Sequence, residues 1–305
     1  MLIGPQFGED CAVIDLGGQY LITKTDPVTF ATEEIGWYAV HVNANDIATM
    51  GARPRWFQAC LLFPPQTTEE TVQHVFSQID MAAKSLEIAV TGGHTEVTPA
   101  VNQPVVIGDM HGLVAKDRLV TSSGARPGDL VVMTKSAGLE GTSILAAEKA
   151  DALRPHLDES LRLEAIGFRH APGISVVQEA LLAAEHGATA MHDPTEGGVA
   201  MGLYELASAS AVQLTVDLDA IYLRPVTQQI CQVFGLNPLG LISSGALLFT
   251  ISPDRWPILQ NAFQSHHINA RVIGNIQAGN GIRAVAQGKT VPFSYSEVDE
   301  LTKVL

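Results

Sequence analysis

The chain has 305 residues, 46% of them hydrophobic and 16% charged, a balance that supports a sizeable core and excludes global disorder. Its length fits two domains better than one. A formal charge of -14, with both halves acidic, leaves no basic footprint for nucleic acid, so a phosphate ligand would have to be held by backbone amides, a few placed cations or bound metal.

The first third alternates short strands with two helices. Residues 12–16 and 20–23 predict a hairpin turning at Gly17-Gly18. Residues 33–50 carry Ile35, Ala39, Val42, Asp46 and Met50 at spacings of three and four, the stripe of a helix. Residues 56–63 read as an apolar strand closed by Pro64-Pro65. The stretch 67–86 opens with Thr and Glu, as helix starts do, and lines up Val72, Val75, Phe76 and Ile79. Residues 87–91 and 105–114 predict further strands, with 92–103 as the loop between them. Together these make an α+β layer.

The turn formers Ser122-Ser-Gly-Ala-Arg-Pro-Gly-Asp129 mark the boundary between a domain of residues 1–121 and one of 122–305. Beyond them, 130–134 is a strand, and Gly138-Leu-Glu-Gly141 leads into a helix over 142–149. A helix over 173–186 ends at Gly187, followed by a strand at 188–191, a helix at 198–209 and a strand at 212–216. Residues 246–251, 253–266 and 270–276 give a closing strand–helix–strand.

Three cysteines, Cys11, Cys60 and Cys231, stand far apart without a CxxC pair. That spacing argues against structural zinc and a disulfide framework and for a reducing compartment. No apolar run approaches the roughly 18 residues of a membrane span. The start, Met1-Leu-Ile-Gly-Pro-Gln-Phe-Gly8, lacks a basic region before an apolar one. A cytoplasmic protein with no membrane and no nucleic-acid partner is expected.

P-loop, Rossmann, HExxH and GxSxG signatures are absent. The chain instead sets carboxylates in turns rich in glycine and threonine. Asp46 lies on the apolar stripe of its helix, and a buried carboxylate needs a cation, a metal or strong donors; Arg53 or Arg55 would serve as a structural partner equally well. Asp10 follows Gly8-Glu9, and Asp26 ends the strand before Pro27, at a sheet rim. Asp10, Asp26 and Asp46 together offer three hard oxygen donors that suit Mg²⁺ bridging phosphates, with ordinary turn chemistry as the alternative. Gly92-Gly93 lets backbone approach a ligand closely beside His94, Thr95 and Glu96, although His94 also fits a structural role. His192-Asp-Pro-Thr-Glu-Gly-Gly198 runs from strand to helix. Its helix N-terminal amides would cradle an anion with Asp193 on the entering turn, or form a plain cap with Thr195 as N-cap and Glu196 in the first turn. Gly138–Ser143 repeats that strand, glycine loop and helix order, and Ser243-Ser-Gly245 precedes another strand.

Gly8-Glu-Asp-Cys-Ala-Val13, Thr25-Asp26, Asn45-Asp-Ile-Ala-Thr-Met-Gly-Ala52, Gly92-Gly-His-Thr-Glu96, His192-Asp-Pro-Thr-Glu-Gly-Gly198 and Leu241-Ile-Ser-Ser-Gly245 occur in this order over nearly the whole chain. In this they resemble the AIR synthase (PurM-like) superfamily, most closely the HypE hydrogenase maturation factors and AIR-synthase-related proteins. The resemblance implies a two-domain α+β fold. Its N-terminal domain would form a barrel across a homodimer, and its C-terminal domain an α/β sandwich. It also implies ATP and Mg²⁺ as cofactors, with Asp10, Asp26 and Asp46 on metal-holding positions and Gly92, Gly93, Thr95, Asn45, Gly197 and Gly198 around the nucleotide. His94, Glu96 and Asp193 fall on catalytic positions. The shared chemistry is phosphorylation of an amide- or carboxyl-type oxygen of a small substrate, with a maturation partner protein in the HypE branch. A non-catalytic nucleotide-binding scaffold and a purine-type cyclo-ligase are the alternatives. HypE carries its substrate on a terminal cysteine, whereas this sequence closes Thr302-Lys-Val-Leu305 with its last cysteine at Cys231, so self-dehydration is not expected. Thiamine-monophosphate kinases, of the same superfamily, carry an acidic residue where His94 stands.

Overall fold

The computed structural model describes residues 1–4, 9–29 and 33–305; Gly8, in the first sequence motif, lies outside them. The described residues divide into two compact units, one of residues 1–4 and 10–119 and one of Glu9 and 120–305. Glu9 belongs to the second unit through its carboxylate, which accepts from the Ser122 N–H at 3.4 Å and the Ser123 hydroxyl at 3.2 Å.

In the N-terminal unit the elements are β1 (Ala12–Asp15), β2 (Gln19–Val28), α1 (Ile35–Thr49), β3 (Arg53–Phe63), α2 (Glu69–Ser85), β4 (Ala89–Val97) and β5 (Val105–Ala115). The sheet order is β1-β2-β5-β3-β4. The expected hairpin forms, pairing Ala12 with Thr23 and Asp15 with Tyr20, and the Asp15 carboxylate accepts from the Gly17 N–H at 2.7 Å. α2 begins where Thr68 accepts from the Thr71 N–H, and Glu69 and Glu70 complement its N-terminus.

α1 packs against β2, β3, β5 and α2 at once. Every residue in it except Trp37 is buried, the pattern of a helix surrounded on all sides. The space is made by small residues on β5. A Cβ on Gly112 would stand 2.3 Å from Ile47 Cγ2 and 2.8 Å from the Arg53 carbonyl oxygen.

β4 corrects one sequence expectation. Gly92–Glu96 is not loop: it continues the strand to Val97, paired in parallel with β3, with Gly93 opposite Ala59 and His94 opposite Cys60. Gly93 has φ +148, and a Cβ there would meet the Ala59 carbonyl oxygen at 2.0 Å, so only glycine lets this strand close on β3.

The C-terminal unit runs β6 (Leu130–Thr134), α3 (Leu139–Glu148), α4 (Ala150–Leu153), α5 (Glu159–Ile166), α6 (Val177–Glu185), β7 (Ala188–His192), α7 (Gly198–Ala209), β8 (Gln213–Asp217), α8 (Pro225–Phe234), β9 (Leu248–Ile251), α9 (Trp256–Ser265), β10 (Ala270–Gln277), β11 (Gly281–Ala286) and β12 (Lys289–Val291). Its seven-stranded sheet has the order β12-β11-β8-β10-β6-β9-β7. Alternate side chains face opposite layers. Leu248 joins Val199, Leu203 and Leu206 of α7 in one core, while Phe249 meets Phe263 of α9 edge-on at 5.9 Å. A third apolar group gathers α3, α5 and α8 through Leu139, Leu145, Ala165 and Ile230. The chain does not finish at β10, as the sequence pattern implied, but adds the β11–β12 hairpin, with β11 parallel to β8.

The turn into α7 is held from a distant part of the chain. Gly197, in the left-handed region at φ +74, is the N-cap and makes no side-chain cap. Thr195 does not take that place, because Asp299 does the work: its carboxylate accepts from Gly197 N–H at 2.8 Å and Leu301 N–H at 2.8 Å. Burial pushes the Asp299 carboxyl up to about 6; the amides of Leu301, Gly197 and Ile242 oppose that shift and Glu196 reinforces it.

Gly112→Ala should lose about 2 kcal/mol of stability in denaturant melts, because Ile47 and the β3 backbone have no room to yield. Asp299 binds its proton more tightly in the folded than in the unfolded chain, so its contribution is present below about pH 4 and lost as pH rises through about 6. Wild-type stability measured against Asp299→Asn should therefore fall by about 2 kcal/mol across that window; a flat difference would contradict the assignment.

Candidate active site

The N-terminal unit brings the three expected carboxylates around one lysine. Lys24 and Asp26, two residues apart on β2, project from the same face of the strand. Asp46 comes from α1, and Asp10 from the segment just before β1. Lys24 Nζ lies 2.9 Å from Asp46 Oδ2, 3.9 Å from Asp26 Oδ2 and 4.0 Å from Asp10 Oδ1. The Asn43 amide, one helical turn before Asp46 and Ile47, donates to the Ala39 carbonyl at 2.8 Å and the Asp26 carbonyl at 3.4 Å, tying α1 to β2 beside the cluster.

The electrostatics follow from depth. Asp46 is 3% exposed, and burial raises its carboxyl well above the usual aspartate range; Lys24 opposes the shift, while Asp10 and Asp26 add to it. Burial also works against the Lys24 ammonium, but Asp46, Asp10 and Asp26 together outweigh it and hold the lysine charged beyond its ordinary range. The counter-charge of Asp46 is thus Lys24, and not Arg53 or Arg55 as the sequence allowed; Arg53 faces Glu87 at 3.9 Å on the surface. Asn45, next to Asp46, is fully buried.

Gly92, Gly93, His94, Thr95 and Glu96 stand apart from this cluster within the unit. Asp26, Gly108, Ala59 and Gly93 pair successively across β2, β5, β3 and β4, so about 14 Å of sheet separates Asp26 from Gly93. His94 and Glu96 are exposed, 3.9 Å apart. All nine residues of β4 are exposed on the edge of the sheet.

In the C-terminal unit, Asp193 is buried at the end of β7. The preceding His192 is fixed by Glu205 of α7, Nε2 to Oε2 2.9 Å. Gly198 has φ +60, and a Cβ on it would meet the Leu241 carbonyl oxygen at 2.5 Å. The N–H of Gly197 goes to Asp299. The motif residues Gly197 and Gly198 therefore serve first to pack the turn into α7 against 239–241 and the segment near Asp299. The loop before α3 is similarly occupied, with Gly138 N–H donating to Ser243 Oγ at 2.8 Å.

Two residues that shape these places, Lys24 and Asp299, were not among the sequence candidates. A signal for Lys24 existed, since it shares a strand face with Asp26. None existed for Asp299, which is 102 residues from its Gly197 partner.

The model of the AIR synthase related protein N-terminal domain matches residues 8–114, and that of the C-terminal domain matches residues 126–287. A putative hydrogenase expression/formation protein of Methanocaldococcus jannaschii is 26% identical over 281 residues, covering 89% of this chain and 80% of the relative. Carbamoyl dehydratase HypE of Rhizobium leguminosarum bv. viciae is 27% identical over 281 residues, covering 89% and 77%. Among solved structures, hydrogenase maturation protein HypE in complex with ATP has the same fold, with a TM-score of 0.79, 24% identity and coverage of 97% of this chain and 90% of that one. With both domain models matched in order and the two-sheet fold shared, the chain belongs to the AIR synthase related family.

Proposed function

We propose that this protein is an ATP- and Mg²⁺-dependent enzyme of the HypE-like branch that phosphorylates an amide- or carboxyl-type oxygen of a small substrate, in the setting of hydrogenase maturation. The observation that carries this reading is the convergence of Asp10, Asp26 and Asp46 on one point that already holds a positive charge, Lys24 Nζ, within 4.0 Å of all three. The ATP in the HypE structure supports the choice of nucleotide, and the relatives' names support the HypE-like branch.

The residues fit a divalent ion. Carboxylates are hard oxygen donors of the kind Mg²⁺ takes, and a lysine ammonium among them stands where a cation is favoured. In this reading Asp10, Asp26 and Asp46 hold the metal, which would neutralise phosphate charge during transfer. His94 and Glu96 on β4 are the candidate groups for phosphate or substrate in the N-terminal unit and Asp193 is the candidate in the C-terminal unit, while Asn45 lies beside Asp46 inside α1; the close backbone approach of Gly93 is to Ala59, and those of Gly197 and Gly198 are to Ser296 and Leu241. The exposed β4 edge suits pairing with a second copy of the chain, since an unpaired strand edge is a ready template.

Neither buried thiol suits a substrate carrier, and Cys60 is half-buried. Cys11 and Cys231 are buried, and burial first, then Glu300, pushes the Cys231 thiol up to about 12, far from a reactive thiolate. In this reading the substrate is a small molecule or a group borne by a maturation partner protein.

A second reading, a nucleotide-binding scaffold without turnover, is favoured by one feature: Lys24 already balances part of the carboxylate charge. ATP turnover with a panel of amide and ribonucleotide substrates separates the two. For the site itself, Mg·ATP at about a hundred times its dissociation constant should stabilise the protein by about 2.7 kcal/mol and raise its melting temperature. Asp26→Ala and Asp46→Ala should each abolish that rise. An undiminished rise in both variants would remove the metal assignment.

A further inference from the structure

Lys24 is a long cation set among groups proposed to bind another cation. Its side chain is 15% exposed and that of Asp46 4%, so neither charge is screened by water as a surface pair would be. The ammonium is nearest Asp46, at 2.9 Å, and about 4 Å from Asp26 and Asp10. Mg²⁺ would need these same oxygens at roughly 2.1 Å. Two cations cannot share the deepest oxygen at those distances without strong repulsion. Lysine has the means to yield, being a point charge on a flexible four-carbon stem with three rotatable donors.

We infer that Lys24 is the resident counter-ion of the acidic site: it holds Asp10, Asp26 and Asp46 together in the metal-free protein and competes with the divalent ion for Asp46. This rests on the metal-binding reading above and deepens it. In the metal-free protein the ammonium keeps three carboxylates from repelling one another. Metal entry displaces it from Asp46 and leaves it beside the ion, facing whatever anion the ion brings. Divalent-ion affinity in the absence of nucleotide is therefore held down by the lysine. A purely structural clamp acts in the opposite sense, because removing it would let the carboxylates spread and weaken metal binding.

The test is Mn²⁺ binding to the full chain without nucleotide, followed by electron paramagnetic resonance. Lys24→Gln and Lys24→Met, checked for folding by circular dichroism, should bind Mn²⁺ at least about fivefold more tightly than wild type, and Lys24→Arg should stay within about twofold of it. Equal or weaker binding in the folded neutral variants overturns the competition while leaving the metal site standing. Absence of Mn²⁺ binding in wild type overturns the metal reading itself. If neither neutral variant folds, the wild-type protein labelled with ¹⁵N at the lysine side chains decides: Mg²⁺ alone should shift the Lys24 ammonium resonance, and an unmoved resonance at saturating Mg²⁺ rejects the inference.

Discussion

The N-terminal unit depends on one electrostatic contact, the pair between Lys24 on β2 and Asp46 on α1. α1 is buried along nearly its whole length, and such a helix keeps a carboxylate charged only if an opposite charge meets it, since an isolated buried ion costs many kcal/mol and is neutralised by a proton instead. Lys24 meets that need from the strand on which α1 lies. Asn43 adds the adjacent link to the Asp26 carbonyl. The contact joins helix to sheet and, at the same time, draws Asp26 and Asp10 toward the same point. Fold and site share a single cause. A lysine at that place is more than packing, because an apolar residue there would leave Asp46 buried without a counter-charge and favour its protonated form.

The sheet geometry sorts the other candidates. Asp26 and Gly93 occupy one lateral row, but β5 and β3 run between them. Close approach in the middle of that row is made by Gly108, where a Cβ would stand 2.4 Å from the Asn43 side chain, and by Gly93 against Ala59. Small residues thus let α1 sink onto one side of the row and β4 close at its end. The consequence is two distinct polar places in the N-terminal unit: a deep, charged one beneath β2 and an exposed one along β4.

Much of this was legible in the sequence where local chemistry decides it. The Gly17-Gly18 hairpin, the β6 and α7 boundaries and the placement of Asp46 on an apolar stripe all follow from periodicity and turn formers. The strand character of Gly92–Glu96 was hidden, because paired glycines read as a loop unless the neighbouring strand is known; pairing with Ala59 makes extended glycine the one residue that fits. Helix α8 was hidden because its partners in Leu139 and Leu145 are distant in the chain. β11 and β12 are short and alternate weakly, and they become strands by joining β8. The arginines that follow α1 are nearer to Asp46 in the chain, whereas the lysine that reaches it precedes the helix.

Lys24 and Asp299 resolve comparable problems in their own units, and comparing them separates a site from a scaffold. Asp299 is gripped by backbone amides on both carboxylate oxygens, within a turn fixed by Leu301 and Gly197. Backbone donors do not move without moving the chain, so this carboxylate is part of the architecture of α7. Lys24 is gripped only by side chains, and two of its three partners sit about 4 Å away, longer than a hydrogen bond. Its own four-carbon stem can swing, and carboxylates of unequal depth can change partners. An ion that offers two charges in place of one is therefore able to compete at Lys24, while nothing comparable is offered at Asp299. The difference between the two sites lies in the grip on the charge: backbone donors at Asp299, side chains alone around Lys24.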